Sequence, residues 1–269
     1  AAKIRKAVED TLEGSDQDQE IMAPLKGFTV DELISTIEYL LSIRSRLKRM
    51  EIDAQGPEGL LRSILAGMGS DTAEAELTAL ITSTEWRISF QEMERLLKAE
   101  GDNYYECMGP GHILLAKVQD ADAAFRTTAV LSSIYFTREG APRRNAKITT
   151  KSFKGRNRKE YEHLFFAIQA LLYRLRNAYQ RAQAGRESLS ILRLYIRAAE
   201  HYQASKIREG LLDFDDLEIY AYRLLQNSGS PEVLYWLDRK ILHFLVDEFQ
   251  DTSDIQWAIL DKLTSEIFA

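Results

Sequence analysis

The sequence predicts a mainly α-helical protein with a small parallel-sheet remnant near its C-terminal end. Only five prolines are spread over 269 residues, which leaves long stretches open to helix. Apolar residues recur at helical spacing behind capping residues: Thr29 with Glu32 forms a capping box ahead of Leu33, Ile37, Leu40, Leu41 and Leu47. A single run, 241–246 (ILHFLV), has the β-branched and aromatic character of a strand buried on both faces.

Along the chain, residues 1–28 are mixed: a short helix, the acidic GSDQDQE stretch, then Pro24 and Gly27. One helix follows from the capping box to about residue 50. Residues 53–70 are rich in glycine and read as a loop around a short helix. Asp71 or Thr72 can cap a long helix that Gly101 stops. Gly101, Gly109, Pro110 and Gly111 make 101–111 the clearest break of the first half, and a helix over 112–136 comes next. Two long helices, 158–184 and 187–209, are separated by Gly185. Asp213 caps the helix DFDDLEIYAYRLLQ, Ser230-Pro231 starts a short helix, and a last helix begins near residue 254. No internal repeat or low-complexity segment is present.

Composition narrows the function classes. The chain is 45% hydrophobic, enough for a sizeable core in one or two domains. Lys and Arg number 35 against 41 Asp and Glu, net −6, which excludes a uniformly basic nucleic-acid binder but leaves room for a local basic patch. A single cysteine, Cys107, excludes an internal disulfide framework and fits a reducing, cytoplasmic compartment. The N-terminus lacks an apolar signal core, and no apolar run is long enough to span a membrane.

Chemistry concentrates in 245–257, LVDEFQDTSDIQW. The apolar run ends on Asp247 and Glu248. Carboxylates at the C-terminal end of a buried parallel strand can hold hydrated Mg²⁺ and polarise a water. As a dipeptide alone, the pair reads equally as a surface feature ending a strand. No Gly-x-x-x-x-Gly-Lys-Ser/Thr phosphate cradle occurs in the chain.

The longer string 237–257, LDRKILHFLVDEFQDTSDIQW, resembles the Walker B segment (motif II) of UvrD/Rep-type superfamily 1 DNA helicases, and within them the AddA/RecB branch of helicase–nucleases. Upstream, 210–225 (GLLDFDDLEIYAYRLL) is similar to the segment that precedes motif II in that family. The two segments cover the last quarter of the chain. The resemblance implies a helical 1B-like insertion over 1–204 and a return into the RecA-like 1A motor domain over 205–269. It also implies an excised piece of a helicase, without its P-loop and arginine fingers and inactive alone.

In that family the matching positions imply that Asp247 binds the Mg²⁺ of Mg·ATP through a water and that Glu248 orients the attacking water. Gln250 would sense the γ-phosphate, making Asp247, Glu248 and Gln250 the catalytic and nucleotide-binding set and Asp247 the metal ligand. Asp251 and Thr252 would hold the following loop, Gln256 matches a family position, and Trp257 reads as core packing. The implied cofactors are Mg²⁺ and ATP. The implied partners are duplex and single-stranded DNA, the rest of the motor and a second helicase–nuclease subunit.

Residues 138–160 carry nine basic side chains against two acidic ones. Arg143, Arg144, Lys147, Lys151, Lys154, Arg156 and Arg158 are the DNA-contact set, and a solvated loop is the competing reading. Asp213, Asp215 and Asp216 suggest a metal, but Asp213 as N-cap with Asp216 on the helix dipole is the simpler account. Tyr173 and Tyr179 could stack bases, though half-buried packing suits them better. Glu160-x-x-His163 lacks the second copy a di-iron site requires, and His243 reads as a core residue of the strand. A helical DNA-binding or docking module with a vestigial motif remains the alternative to a helicase piece. A nuclease is the third reading, and it lacks a matching lysine pattern.

Overall fold

The computed structural model describes residues 2–100, 102–146, 156–226, 235, 240, 243–247, 250 and 252–267. The helices are α1 (Ala2–Ser15), α2 (Gln19–Met22), α3 (Val30–Ser42), α4 (Arg44–Asp53), α5 (Pro57–Met68), α6 (Ser70–Thr82), α7 (Thr84–Glu100), α8 (Asp102–Lys117), α9 (Ala121–Tyr135), α10 (Arg156–Glu209), α11 (Phe214–Gln226) and α12 (Asp254–Ile267). Two compact units emerge, one of residues 1–65 and 186–269, the other of 66–185.

The first unit opens as its sequence predicts. Thr29 accepts from the Glu32 N–H while the Glu32 carboxylate accepts from the Thr29 N–H at 2.7 Å. Leu33, Ile37, Leu41 and Leu47 are buried, against Val8, Leu25, Leu194 and Ala198. The single helix predicted from Val30 to about residue 50 is instead two. Ile43 leaves the helical region (φ −112°, ψ 23°), and the turn starts α4 with Arg44 buried. The 53–70 stretch is mostly helix, with Pro57 as the first residue of α5.

The second unit is built on Trp86, Phe90, Met93, Leu97, Leu115, Leu131, Tyr135, Tyr161, Phe165 and Leu172. The long helix predicted to end at Gly101 divides at Ser83, whose extended backbone and Oγ cap the Trp86 N–H at 3.1 Å. That competing cap divides what periodicity alone joins. Of the break predicted at 101–111, one helix does end at Glu100 and the next begins at Asp102, but Gly109, Pro110 and Gly111 lie inside α8. Packing overrides their turn propensity, since a Cβ at Gly111 would sit 2.7 Å from Leu131 Cδ2. Its missing side chain therefore serves close approach to α9. His112 is fully buried, its Nε2 2.6 Å from the Tyr135 hydroxyl. The helix predicted over 112–136 is interrupted before Asp120, which caps α9 through the Ala123 N–H at 2.8 Å.

Gly185 does not separate two helices. Residues 156–209 form one continuous α10. A helical glycine costs only about 1 kcal/mol relative to alanine, and here it makes room: a Cβ at Gly185 would lie 2.3 Å from Ser70 Cβ. The helix ends at Gly210 (φ +65°) in a Schellman motif, with Leu211 N–H on Lys206 O at 2.9 Å and Gly210 N–H on Ile207 O at 3.1 Å.

The buried strand expected at 241–246 is corrected for its described part. Residues 243–246 belong to no regular element; Leu245 is 97% exposed, and His243 is exposed as well. Among the described residues the only β pairing is an isolated antiparallel bridge between Phe136 and Pro142. A strand's backbone groups need neighbouring strands, and none of the described residues supplies one here. The helix predicted from Ser230-Pro231 lies outside the described residues.

Candidate functional site

The first family-like segment and the described end of the second come together in the first unit. At the start of α11, Asp213 and Asp216 cap each other: the Asp216 N–H donates to Asp213 Oδ1 and the Asp213 N–H to Asp216 Oδ2, both at 3.1 Å. Asp213 is thus the N-cap that its sequence position suggests. The preceding Schellman turn delivers Lys206 beneath it. Lys206 Nζ lies 2.7 and 2.6 Å from the two Asp216 carboxylate oxygens and 3.2 Å from Asp213. Arg44 pairs with Asp213 and stands 3.5 Å from Asp215 and 3.4 Å from Asp216. The Tyr202 hydroxyl donates to Asp213 at 3.1 Å, and its ring lies 5.1 Å from the Arg44 guanidinium carbon and 4.6 Å from Lys206 Nζ.

Lys206, Asp216 and Arg44 are each buried, so charges in this cluster persist through mutual pairing. Burial alone would raise the Asp213 pKa; the hydrogen bonds from Arg44, the Asp216 N–H and Lys206 outweigh it and hold the carboxyl well below its usual range. For Asp215, burial wins and the pKa is raised, with the neighbouring aspartates adding to it. The aspartates are therefore bound to cations of the protein itself, which disposes of the metal reading of this trio. Among the described residues no group of three potential metal ligands is present.

The described end of the second segment, from Ser253 onward, docks beside the first. Ser253 and Gln256 form a capping box at the start of α12, with Ser253 N–H on Gln256 Oε1 at 3.1 Å and Gln256 N–H on Ser253 Oγ at 3.3 Å. Gln256 Nε2 also donates to Glu218 of α11 at 2.5 Å. Arg46 pairs with Asp254 at 2.8 Å, and Arg49 donates to the Asp254 carbonyl at 2.6 Å. Ile255 and Ala258 pack with Ile219 and Tyr222, while the Tyr222 hydroxyl meets Asp53 at 2.6 Å. Sequence reasoning missed this role of α4, because the charge pattern of RSRLKRM does not reveal which carboxylates its arginines meet. Beside the cluster a cleft of about 320 Å³ is lined by Arg44, Lys48, Tyr195, Gln203, Ile219 and Arg223.

Of the motif II-like string, Asp247 and Gln250 are exposed and Thr252 is half-buried. Glu248 and Asp251 lie outside the described residues. Trp257, expected in the core, is 49% exposed: α12 buries Ile255 and Ala258 on its other side.

The basic set divides. Arg143 is half-buried, with its N–H on Tyr135 O and its guanidinium on Ser133 O, both at 3.1 Å. Arg144 is exposed. Arg158 is exposed and pairs with Glu162 at 3.0 Å. Lys147, Lys151, Lys154 and the Arg156 side chain lie outside the described residues. Tyr179 stacks on Phe125, ring centroids 3.9 Å apart and 7° from parallel, and Tyr173 is 42% exposed. Glu160 pairs with Arg95 at 3.2 Å.

The family model for the UvrD/REP helicase N-terminal domain matches residues 63–268. The chain belongs to this family. Among curated relatives, an ATP-dependent helicase/nuclease subunit of Natranaerobius thermophilus is 37% identical over 76 residues, 28% of this chain and 6% of that protein. The protein of the same name from Latilactobacillus sakei is 37% identical over 84 residues, 31% of this chain and 9% of the relative. A probable DNA helicase II homolog of Mycoplasma capricolum is 41% identical over 63 residues, 23% of this chain and 8% of its own length. The matched part of the chain thus spans less than a tenth of each of these relatives. No solved structure matches. No helix among the described residues is long and apolar enough to cross a membrane.

Proposed function

We propose that this chain is a piece of an ATP-dependent DNA helicase of the helicase–nuclease type, acting in double-strand-break repair and recombination in the cytoplasm. The observation that carries the reading is the family match over 63–268, and the names of the relatives point the same way. Residues 1–204 are the helical 1B-like insertion and 205–269 the return into the 1A motor. The packing of α11 against α12 supports treating the LDFDD and motif II segments as one piece of that motor.

In the complete motor Asp247 would hold Mg²⁺ through a water, Glu248 would orient the attacking water and Gln250 would respond to the γ-phosphate. A carboxylate oxygen suits Mg²⁺, and the exposed Asp247 is the described part of that donor set. When bound, Mg·ATP supplies the phosphoryl group to be hydrolysed. Such chemistry is largely positioning and charge neutralisation, so a chain with no phosphate-cradling Gly-Lys pair is inactive by itself. Arg143, Arg144, Lys147, Lys151, Lys154, Arg156 and Arg158 contact duplex DNA, and a second helicase–nuclease subunit is a further partner.

Strand displacement tests the reading. The parent polypeptide should unwind a labelled duplex with ATP, and Glu248→Gln should abolish unwinding while leaving DNA binding intact. Unwinding that survives Glu248→Gln would leave the vestigial-motif alternative standing.

A further inference from the structure

The second unit contains a cleft of about 440 Å³ between α9, α10 and the turn after α9. Small-molecule sites typically occupy about 300–1,000 Å³. Phe125 lines it; one face of that ring is covered by Tyr179, stacked at 3.9 Å. Leu172 and the buried Phe136 supply apolar wall. Two guanidiniums border the same space. Arg176 donates to the Gly140 carbonyl at 3.0 Å and sits 6.0 Å from the centre of the Phe136 ring. Arg138 stands exposed on the turn. Among the described residues neither arginine is paired with a carboxylate. Glu139, the one acid lining the cleft, is exposed, and its own backbone N–H and the Thr137 hydroxyl hold its carboxylate and lower its pKa, so the two guanidiniums outnumber a single carboxylate.

A half-buried aromatic ring backed by a second ring, with two cations at cleft distance, suits a flat heterocycle that carries negative charge. Stacking takes the flat face, and guanidinium geometry takes the phosphate. We propose that this cleft binds one unpaired nucleoside phosphate unit, with the base against Phe125 and the phosphate toward Arg138 and Arg176. The proposal rests on the reading that the chain handles DNA, but it concerns an unpaired nucleotide rather than the duplex contacts of the basic set.

The test is fluorescence anisotropy of the 269-residue chain with labelled oligothymidylate at low salt. Arg138→Gln should weaken binding and lower the salt slope by about one, and Phe125→Leu should weaken it about tenfold. Arg126→Gln, on the exposed face of α9, should change neither. An oligothymidylate carrying 5-iodouracil should photo-crosslink to Phe125 or Tyr179, a readout that misfolding of Phe125→Leu could not mimic. Competition by thymidine monophosphate separates the sources: displacement at low concentration means a free-nucleotide site, and displacement only by oligonucleotide means a strand. Absence of oligothymidylate binding, equal binding by Arg138→Gln and Phe125→Leu, or crosslinks confined to other residues each overturn the proposal. Duplex affinity measured in parallel keeps the two readings apart. If it falls when Arg143, Arg144, Lys151 and Lys154 are neutralised together, the DNA reading stands even where the cleft fails.

Discussion

Lys206 Nζ and the Asp216 carboxylate meet at 2.6 Å, and both side chains are buried. The pair ties the end of α10 to the start of α11, with Arg44 bringing α4 to the same carboxylates. Leaving one partner alone in such a site is expensive, whereas replacing both by apolar groups is far less so. Lys206→Met should therefore destabilise the first unit by about 3–5 kcal/mol, and Lys206→Met with Asp216→Leu should recover part of that loss. Denaturant unfolding of the single and double variants measures it; equal losses would show that the pair contributes nothing specific.

Acid should loosen the same joint. Asp213 has a depressed folded-state pKa, so its contribution is present above its ordinary value of 3.8 and is lost as pH falls below it. Asp215 is shifted up, so its contribution has the opposite sign and fades as pH rises through its folded value. Asp213→Asn should flatten the acid limb of a stability-against-pH curve and Asp215→Asn should not. A limb unchanged in Asp213→Asn would move the acid sensitivity elsewhere.

The glycine in the middle of α10 gives a prediction opposite in sign to propensity. Gly185→Ala ought to gain helix stability, but its Cβ would meet Ser70 at 2.3 Å. Overpacking of that kind costs about 1–3 kcal/mol. Gly14→Ala in α1 meets nothing within 4 Å and should stabilise by about 0.5–1 kcal/mol. Thermal melts of the two variants should therefore shift in opposite directions.

The Ser253–Gln256 box fixes where α12 begins. Ser253→Ala should cost about 1 kcal/mol, and Gln256→Ala should cost that and the link to Glu218. Urea unfolding that leaves both variants at wild-type stability would mean the box is not formed in solution.

Local signals were legible in the sequence where one short range of residues contains the whole interaction. The Thr29–Glu32 box, the Asp213 cap and the buried face of Leu33, Ile37 and Leu41 all appear in the structure. Signals failed where tertiary contact decides. Gly111 and Gly185 look like punctuation, yet each is the point where another element comes close. The 241–246 run reads as a strand, yet its described residues find no pairing strand. Arg44 and Lys206 are ordinary helical cations in sequence, because the aspartates they meet are distant along the chain or read as a simple cap. The motif II-like string pointed to the family whose model matches residues 63–268.

DNA-stimulated ATP hydrolysis by the parent polypeptide, wild type beside Asp247→Asn, tests the helicase reading most directly. Robust turnover is expected in the wild type and its loss in the variant, with nucleotide-independent DNA binding retained. Turnover undiminished in Asp247→Asn would contradict the reading, because the acidic motif at the end of 241–247 would then have no part in the chemistry.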